Sequence, residues 1–88
     1  MERKLLVIHE RDNVGVLLEK AASGDTCTWQ GATIKIQEPV EFAHKIAIQA
    51  IAQGAPVFKY GEEIGHAETD LRPGQWVHNH NMGCRRGK

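Results

Sequence analysis

The sequence is short of most features that mark a function class. Its 88 residues hold two cysteines, Cys27 and Cys84, which form no C-x-x-C. With no secretory signal they read as free thiols rather than a disulfide. No apolar run approaches the roughly 20 residues that span a bilayer. The N-terminal MERKLLVIHE lacks the apolar length and small-residue cleavage site of a signal peptide, and reads as a first strand. Neither sign of charge dominates, since eleven Lys and Arg offset eleven Asp and Glu for a formal net charge of zero. That argues against nucleic acid, which needs a basic surface, and against an anionic membrane surface. The basic cluster RRGK at the C-terminus reads as a solvated tail, with residues 83–88 flexible. There is no G-x-S-x-G, no P-loop and no G-x-G-x-x-G, and no repeat or low-complexity tract. What remains is one cytoplasmic domain, 1–88. A chain of this size buries about 60–65% of its unfolded surface, so its core is small.

Turn chemistry cuts the chain into short pieces. LLVIH (5–9) suits a buried strand. VGVLLE (14–19) places Val14, Val16 and Leu18 on one face in period two. ASGD (22–25) is a turn, and TCTW and ATIKIQ are strands separated by Gly31. VFKY (57–60) is a strand bounded by Pro56 and Gly61, and DLRPGQ (70–75) turns into WVH. The acids of KYGEEIG, Glu62 and Glu63, sit in a glycine-rich turn and are given no chemistry. VEFAHKIAIQAIAQ (40–53) fits a helix through Phe42, Ile46 and Ala50, and a strand through Ile46, Ile48 and Ala50; periodicity alone leaves both open. The pattern predicts a small, glycine-punctuated, mainly β domain.

Three polar groupings carry possible chemistry. On an extended chain His78 and His80 point to the same face, and His-x-His is a common half-site for zinc or iron. Cys84 is a third potential ligand if the chain bends at Gly83. The competing reading is a polar segment with exposed histidines. His44-Lys45 pairs a group that moves protons with one that holds a carboxylate, or is an exposed pair on a half-buried element. Asp12-Asn13 reads locally as ordinary turn chemistry.

In order, DNVGVLLEKAASGD and AHKIAIQAIAQGAPVFKYGEEIGHAETDLRPGQWVHNHN resemble the small N-terminal domain of the altronate and galactarate dehydratase family. The same domain forms the separate small subunit of relatives such as sulfolactate sulfo-lyase. The shared pattern is D-N-V, G-H-K-I-A, K-Y-G-x-x-I-G and G-x-x-V-H-x-H-N, covering about residues 5–82. Ala43 stands where the family has glycine, so the backbone there is less free. Trp76 stands at a position often occupied by another histidine, which removes a candidate ligand.

The resemblance implies a β-clip of the SAF type, with HKIAIQ a strand and AIAQG a short helical turn. It implies that Asp12, Asn13, His44, Lys45, His78, His80 and Asn81 converge on one edge. There His44, His78 and His80 would be catalytic. Asp12, Asn13, Lys45 and Asn81 would bind substrate, and His78 and His80 would be able to hold a divalent iron, manganese or zinc. The implied activity is that of the small subunit of a hydro-lyase or sulfo-lyase, completed by a large catalytic subunit. Its substrate would be an anionic sugar acid or a sulfonated hydroxy acid. A non-catalytic module binding a sugar acid or a metal is the alternative.

Overall fold

Nine short strands, all paired antiparallel, build the protein in a computed structural model that describes residues 1–83. They are β1 (Leu5–Leu6), β2 (Val14–Leu17), β3 (Thr26–Trp29), β4 (Ala32–Lys35), β5 (Lys45–Ala47), β6 (Pro56–Lys59), β7 (Glu62–Ala67), β8 (Trp76–Val77) and β9 (Met82–Gly83). One sheet runs β1-β2-β5-β8, a second is the hairpin β3-β4, and a third runs β6-β7-β9. This is the mainly β, SAF-like architecture anticipated from the sequence.

The two hairpins are locally encoded. Trp29 pairs with Ala32 around Gln30 (φ 51°) and Gly31 (φ 81°), and Lys59 pairs with Glu62 around Tyr60 (φ 57°) and Gly61 (φ 81°). Two consecutive residues with positive φ are the signature of the tight turn whose twist matches the flanking strands, and glycine takes its second place without a Cβ penalty.

The hairpins are copies within a duplicated fold, which corrects the expectation that nothing repeats. Ala21 bridges Val40 as Ile51 bridges Leu71. The Gly24 N–H donates to the Ile36 carbonyl at 2.9 Å as the Gly54 N–H does to Ala67 at 2.8 Å. Ala22, Gly24, Gly31 and Ile34 reappear at a constant offset as Ala52, Gly54, Gly61 and Ile64. So few identities carry little signal in the linear chain, whereas the shared hydrogen bonds are plain. Each copy has its own core. The first gathers Leu17, Cys27, Ile34, Ile36, Val40 and Ile46; the second gathers Val14, Ile51, Val57, Leu71 and Val77. Burying each such side chain stabilises the fold by roughly 1.5–3 kcal/mol relative to exposure. Cys27 is a buried free thiol that fills the place Val57 takes in the second copy. Burial pushes its thiol up, away from the reactive thiolate.

Four expectations change. β2 does not alternate: Val14, Val16 and Leu17 are all buried, and Leu18 is exposed. The strand lies between β1 and β5 and sends Val14 to one core and Leu17 to the other, so both faces are covered. The segment 40–53 contains no helical turn. The Ile51 N–H is committed to Leu71 at 3.0 Å, and AIAQG becomes a turn closed by the Ala55 N–H on the Ala52 carbonyl at 2.9 Å. The stretch EEIGHA is the longest strand, β7, rather than a turn, with Glu62 and Glu63 exposed on it. Gly83, placed in the flexible tail, ends β9. Residues 84–88, with Cys84 and the RRGK cluster, lie outside the described residues. Among the described residues there is no helix, and so none long and apolar enough to cross a membrane.

Candidate functional site

The pairing of β5 with β8 decides which polar residues meet. Lys45 faces Val77 and Ile46 faces Trp76, so one step further along the same register His44 comes opposite His78. Their ring centroids are 5.4 Å apart. Trp76 completes the group: its indole stacks on His78 at 5.1 Å and 13°, and lies 5.6 Å from His44 and 4.9 Å from His80. The three histidines expected to converge do share one edge, gathered around a tryptophan.

Trp76 also fixes chemistry. Its Nε1–H donates to His44 Nδ1 at 3.1 Å. An indole nitrogen can only donate, so His44 Nδ1 must be unprotonated and the neutral ring carries its hydrogen on Nε2. From the sequence, Trp76 was only a lost ligand; here it sets a tautomer and serves as the platform for two more rings.

His78 and His80 do not sit on an extended chain. The backbone turns at 78–81, with the Asn81 and Met82 N–H groups on the His78 carbonyl at 3.0 and 2.9 Å. Asn81 is buried and closes that turn: its Oδ1 accepts the His78 N–H at 2.9 Å and its Nδ2 donates to the Trp76 carbonyl at 2.8 Å. The same-face argument for a two-histidine half-site therefore does not hold in this geometry. Among the described residues no three His, Cys, Asp or Glu side chains are grouped to hold a metal ion. Two imidazoles supply at most half of a tetrahedral shell, so the described residues do not by themselves fit a bound divalent ion.

Asp12 and Asn13 are spent on the fold. Asp12 Oδ2 accepts the His9 N–H at 3.1 Å and its Oδ1 the Gly61 N–H at 2.7 Å. Burial alone would push this carboxyl up, but the backbone donors of Gly61 and His9 outweigh it and hold the group below the usual carboxylate range. Asn13 Oδ1 accepts the Phe58 N–H at 2.8 Å, its Nδ2 donates to Pro56 at 2.9 Å, and its own N–H reaches the Phe58 carbonyl at 3.2 Å. The β6–β7 register slips between Val57 and Phe58, where Asn13 occupies the backbone of β6. Asp12, Asn13 and Asn81 thus brace the β6–β7 hairpin and the 78–81 turn, a different task from the substrate contacts expected of them.

Beside the rings lies an open cleft of about 140 Å³ lined by Ala43, His44, Lys45, Lys59 and His78. Lys45 is half-buried; burial, then the nearby Lys59 cation, brings its ammonium below the ordinary lysine range. Burial first, and then Lys45 and the neighbouring histidines, lowers His78, so its imidazole is neutral near pH 7 and able to accept a proton. Lys59 was missed from the sequence, although it stands in the K-Y-G stretch that carries the resemblance. A larger depression of about 520 Å³ runs along Glu2–Leu5. Within it Arg3 pairs with Glu19 at 3.3 Å and also reaches Asp25 at 2.9 Å.

Comparison with known proteins agrees with the fold. The family model of the altronate/galactarate dehydratase SAF domain matches residues 3–85. The chain is 42% identical over 74 residues to an altronate dehydratase of Escherichia coli (strain K12), covering 84% of this chain and 15% of that protein. It is 34% identical over 79 residues to the altronate dehydratase of Bacillus subtilis (strain 168), covering 90% of this chain and 16% of the relative. The chain therefore spans only a small fraction of those enzymes. It is also 33% identical over 88 residues to the (2R)-sulfolactate sulfo-lyase subunit alpha of Chromohalobacter salexigens, covering 91% of this chain and 94% of that subunit.

Proposed function

Because the chain belongs to the altronate/galactarate dehydratase SAF-domain family, we propose that it is the small component of a lyase. In this reading it works with a larger catalytic partner on an anionic hydroxy acid, from which water or sulfite is eliminated. The observation that carries the reading is the cleft where a half-buried lysine adjoins a neutral imidazole, Lys45 beside His78. The match to nearly the whole length of a sulfo-lyase alpha subunit supports a separate small subunit.

The elimination breaks the C–H bond α to a carboxylate and the bond to the β-substituent, and forms a carbon–carbon double bond. Removing the α-proton puts a second negative charge on an already anionic group, which a cation against the carboxylate stabilises. Lys45 takes that place, and His78 accepts the proton. His80, tilted against Trp76, protonates a hydroxide leaving group as its imidazolium, and the neutral His44 ring only donates a hydrogen bond to it from Nε2–H; sulfite leaves with its electron pair unaided. A divalent ion in that reaction would need ligands from beyond these residues. The cleft is open and about 140 Å³, too small to bury a sugar acid or exclude water from it; the larger partner supplies those walls.

The test is turnover by the complex purified with its large partner. His78→Asn should lower kcat by roughly 10²–10⁴-fold, the range for a lost general base, while the complex still assembles. Full turnover by the large partner alone, or by the His78→Asn complex, would reduce this chain to a non-catalytic binding module.

A further inference from the structure

Lys59 has no part in the reaction just described, yet it faces the same cleft. We propose that Lys45 and Lys59 together form a two-ammonium seat for the oxyanion head of the ligand, a carboxylate or a sulfonate, which holds it in place before any bond is broken. This rests on the cleft being the binding edge and adds the second cation that recognises the ligand.

Three observations meet here. Both lysines line the cleft with His44 and His78. Neither has an acidic partner: among the described residues the ion pairs join Met1 to Asp25 and Arg3 to Glu19 and Asp25. The Lys59 ammonium instead lies 5.0 Å over the Tyr60 ring, which orients a cation without neutralising it. A half-buried lysine facing a second lysine is unfavourable until an anion lies between them, and the depressed Lys45 ammonium reflects that.

The placement is also built rather than incidental. Lys59 ends β6, and the turn after it is pinned by Asp12 Oδ1 on the Gly61 N–H at 2.7 Å, while Asn13 holds Phe58 and Pro56 just before it. On the other side Asn13 accepts the Ile48 N–H at 3.0 Å, just past the end of β5, whose first residue is Lys45. One buried Asp-Asn pair thereby sets the distance between two lysines far apart in sequence. An oxyanion bridging two ammonium groups accepts hydrogen bonds from both, each stronger than one between neutral groups.

The seat is tested on the full chain alone, by following backbone amide resonances at pH 7 and constant ionic strength as sodium sulfate or sodium acetate replaces chloride. Sulfate stands for a sulfonate head and acetate for a carboxylate; whichever binds more tightly identifies the preferred head. Shifts should concentrate at Ala43, His44, Lys45, Lys59 and His78. Lys59→Gln and Lys45→Gln should each weaken the apparent affinity about fivefold or more. Lys59→Arg should retain it, and Lys35→Gln on β4 should leave it unchanged. Lys59 is half-exposed, and the amide spectrum of each variant reports whether the fold persists. Shifts centred on Arg3 or Arg72, an affinity for both anions indifferent to Lys59→Gln, or equal loss from Lys35→Gln would overturn the seat. Intact anion binding with no turnover in the partner complex would count against the proposed reaction and leave the seat standing.

Discussion

Replacing Ala43 with glycine should stabilise the protein. Ala43 holds φ at 74°, third in the turn where the His44 N–H bonds the Glu41 carbonyl at 3.2 Å, and its own N–H is committed to the Leu17 carbonyl at 2.9 Å. The conformation is thus imposed from both sides. Left-handed backbone costs an L-residue roughly 1–2 kcal/mol. Glycine's greater freedom in the unfolded chain costs roughly 0.5–1 kcal/mol in return. The Ala43 methyl is exposed, so little packing is lost, and the balance favours glycine by about 0.5–1 kcal/mol. For a domain of this size that raises Tm by roughly 2–8 °C, read by thermal denaturation followed by circular dichroism. The second copy of the fold already has the substitution: Gly74 sits at the equivalent turn with φ 87°. A Cβ there would also collide with the Lys35 carbonyl oxygen, so Gly74→Ala should cost several kcal/mol. An unchanged or lower Tm for Ala43→Gly would show that the turn does not strain alanine.

Trp76→Phe keeps a ring against His78 but removes the N–H on His44 Nδ1. Imidazole nitrogen NMR should then show His44 as a mixture of tautomers in place of the single Nε2–H form, and one unchanged tautomer would refute the lock. Asn13→Ala strips partners from the Phe58 N–H and the Pro56 carbonyl. It should cost about 2–4 kcal/mol in urea unfolding, and a loss well below that would mean water replaces the amide. His78 should titrate below the usual histidine value of 6.5, because burial, then Lys45, disfavours its charged form. The folded state prefers the neutral ring, so its contribution to stability is full above pH 6.5 and is lost as pH falls through the depressed value. Lys45→Met should move the midpoint up only part of the way, since burial remains; a midpoint that does not move would remove Lys45 from the neighbourhood of the imidazole.

The candidate site was partly legible in the chain. His44, Lys45, His78 and His80 were named from local spacing and resemblance, and all four reach one edge. Asp12, Asn13 and Asn81 were named by the same signals but act as braces. A motif marks that a residue matters without saying whether its polar atoms face solvent or backbone. Lys59 was passed over, and Trp76 was read only as a lost ligand, because nothing nearby in sequence tells of their neighbours.

By itself the sequence determined what depends on adjacent residues: the tight turns at Gly31 and Gly61, the family, and the polar residues worth watching. Only the tertiary structure decided what depends on pairing between distant segments. Packing β2 between β1 and β5 buried Leu17 against the alternation and left Leu18 outside. The commitment of the Ile51 N–H to Leu71 replaced a helical turn with a bridge. The β5–β8 register put His44 opposite His78, and Asn13 carried Lys59 toward Lys45. The physical reason is that a turn is chosen by the φ preferences of two residues, whereas a strand partner is chosen by which apolar faces can be covered together. That choice is made by the whole chain at once.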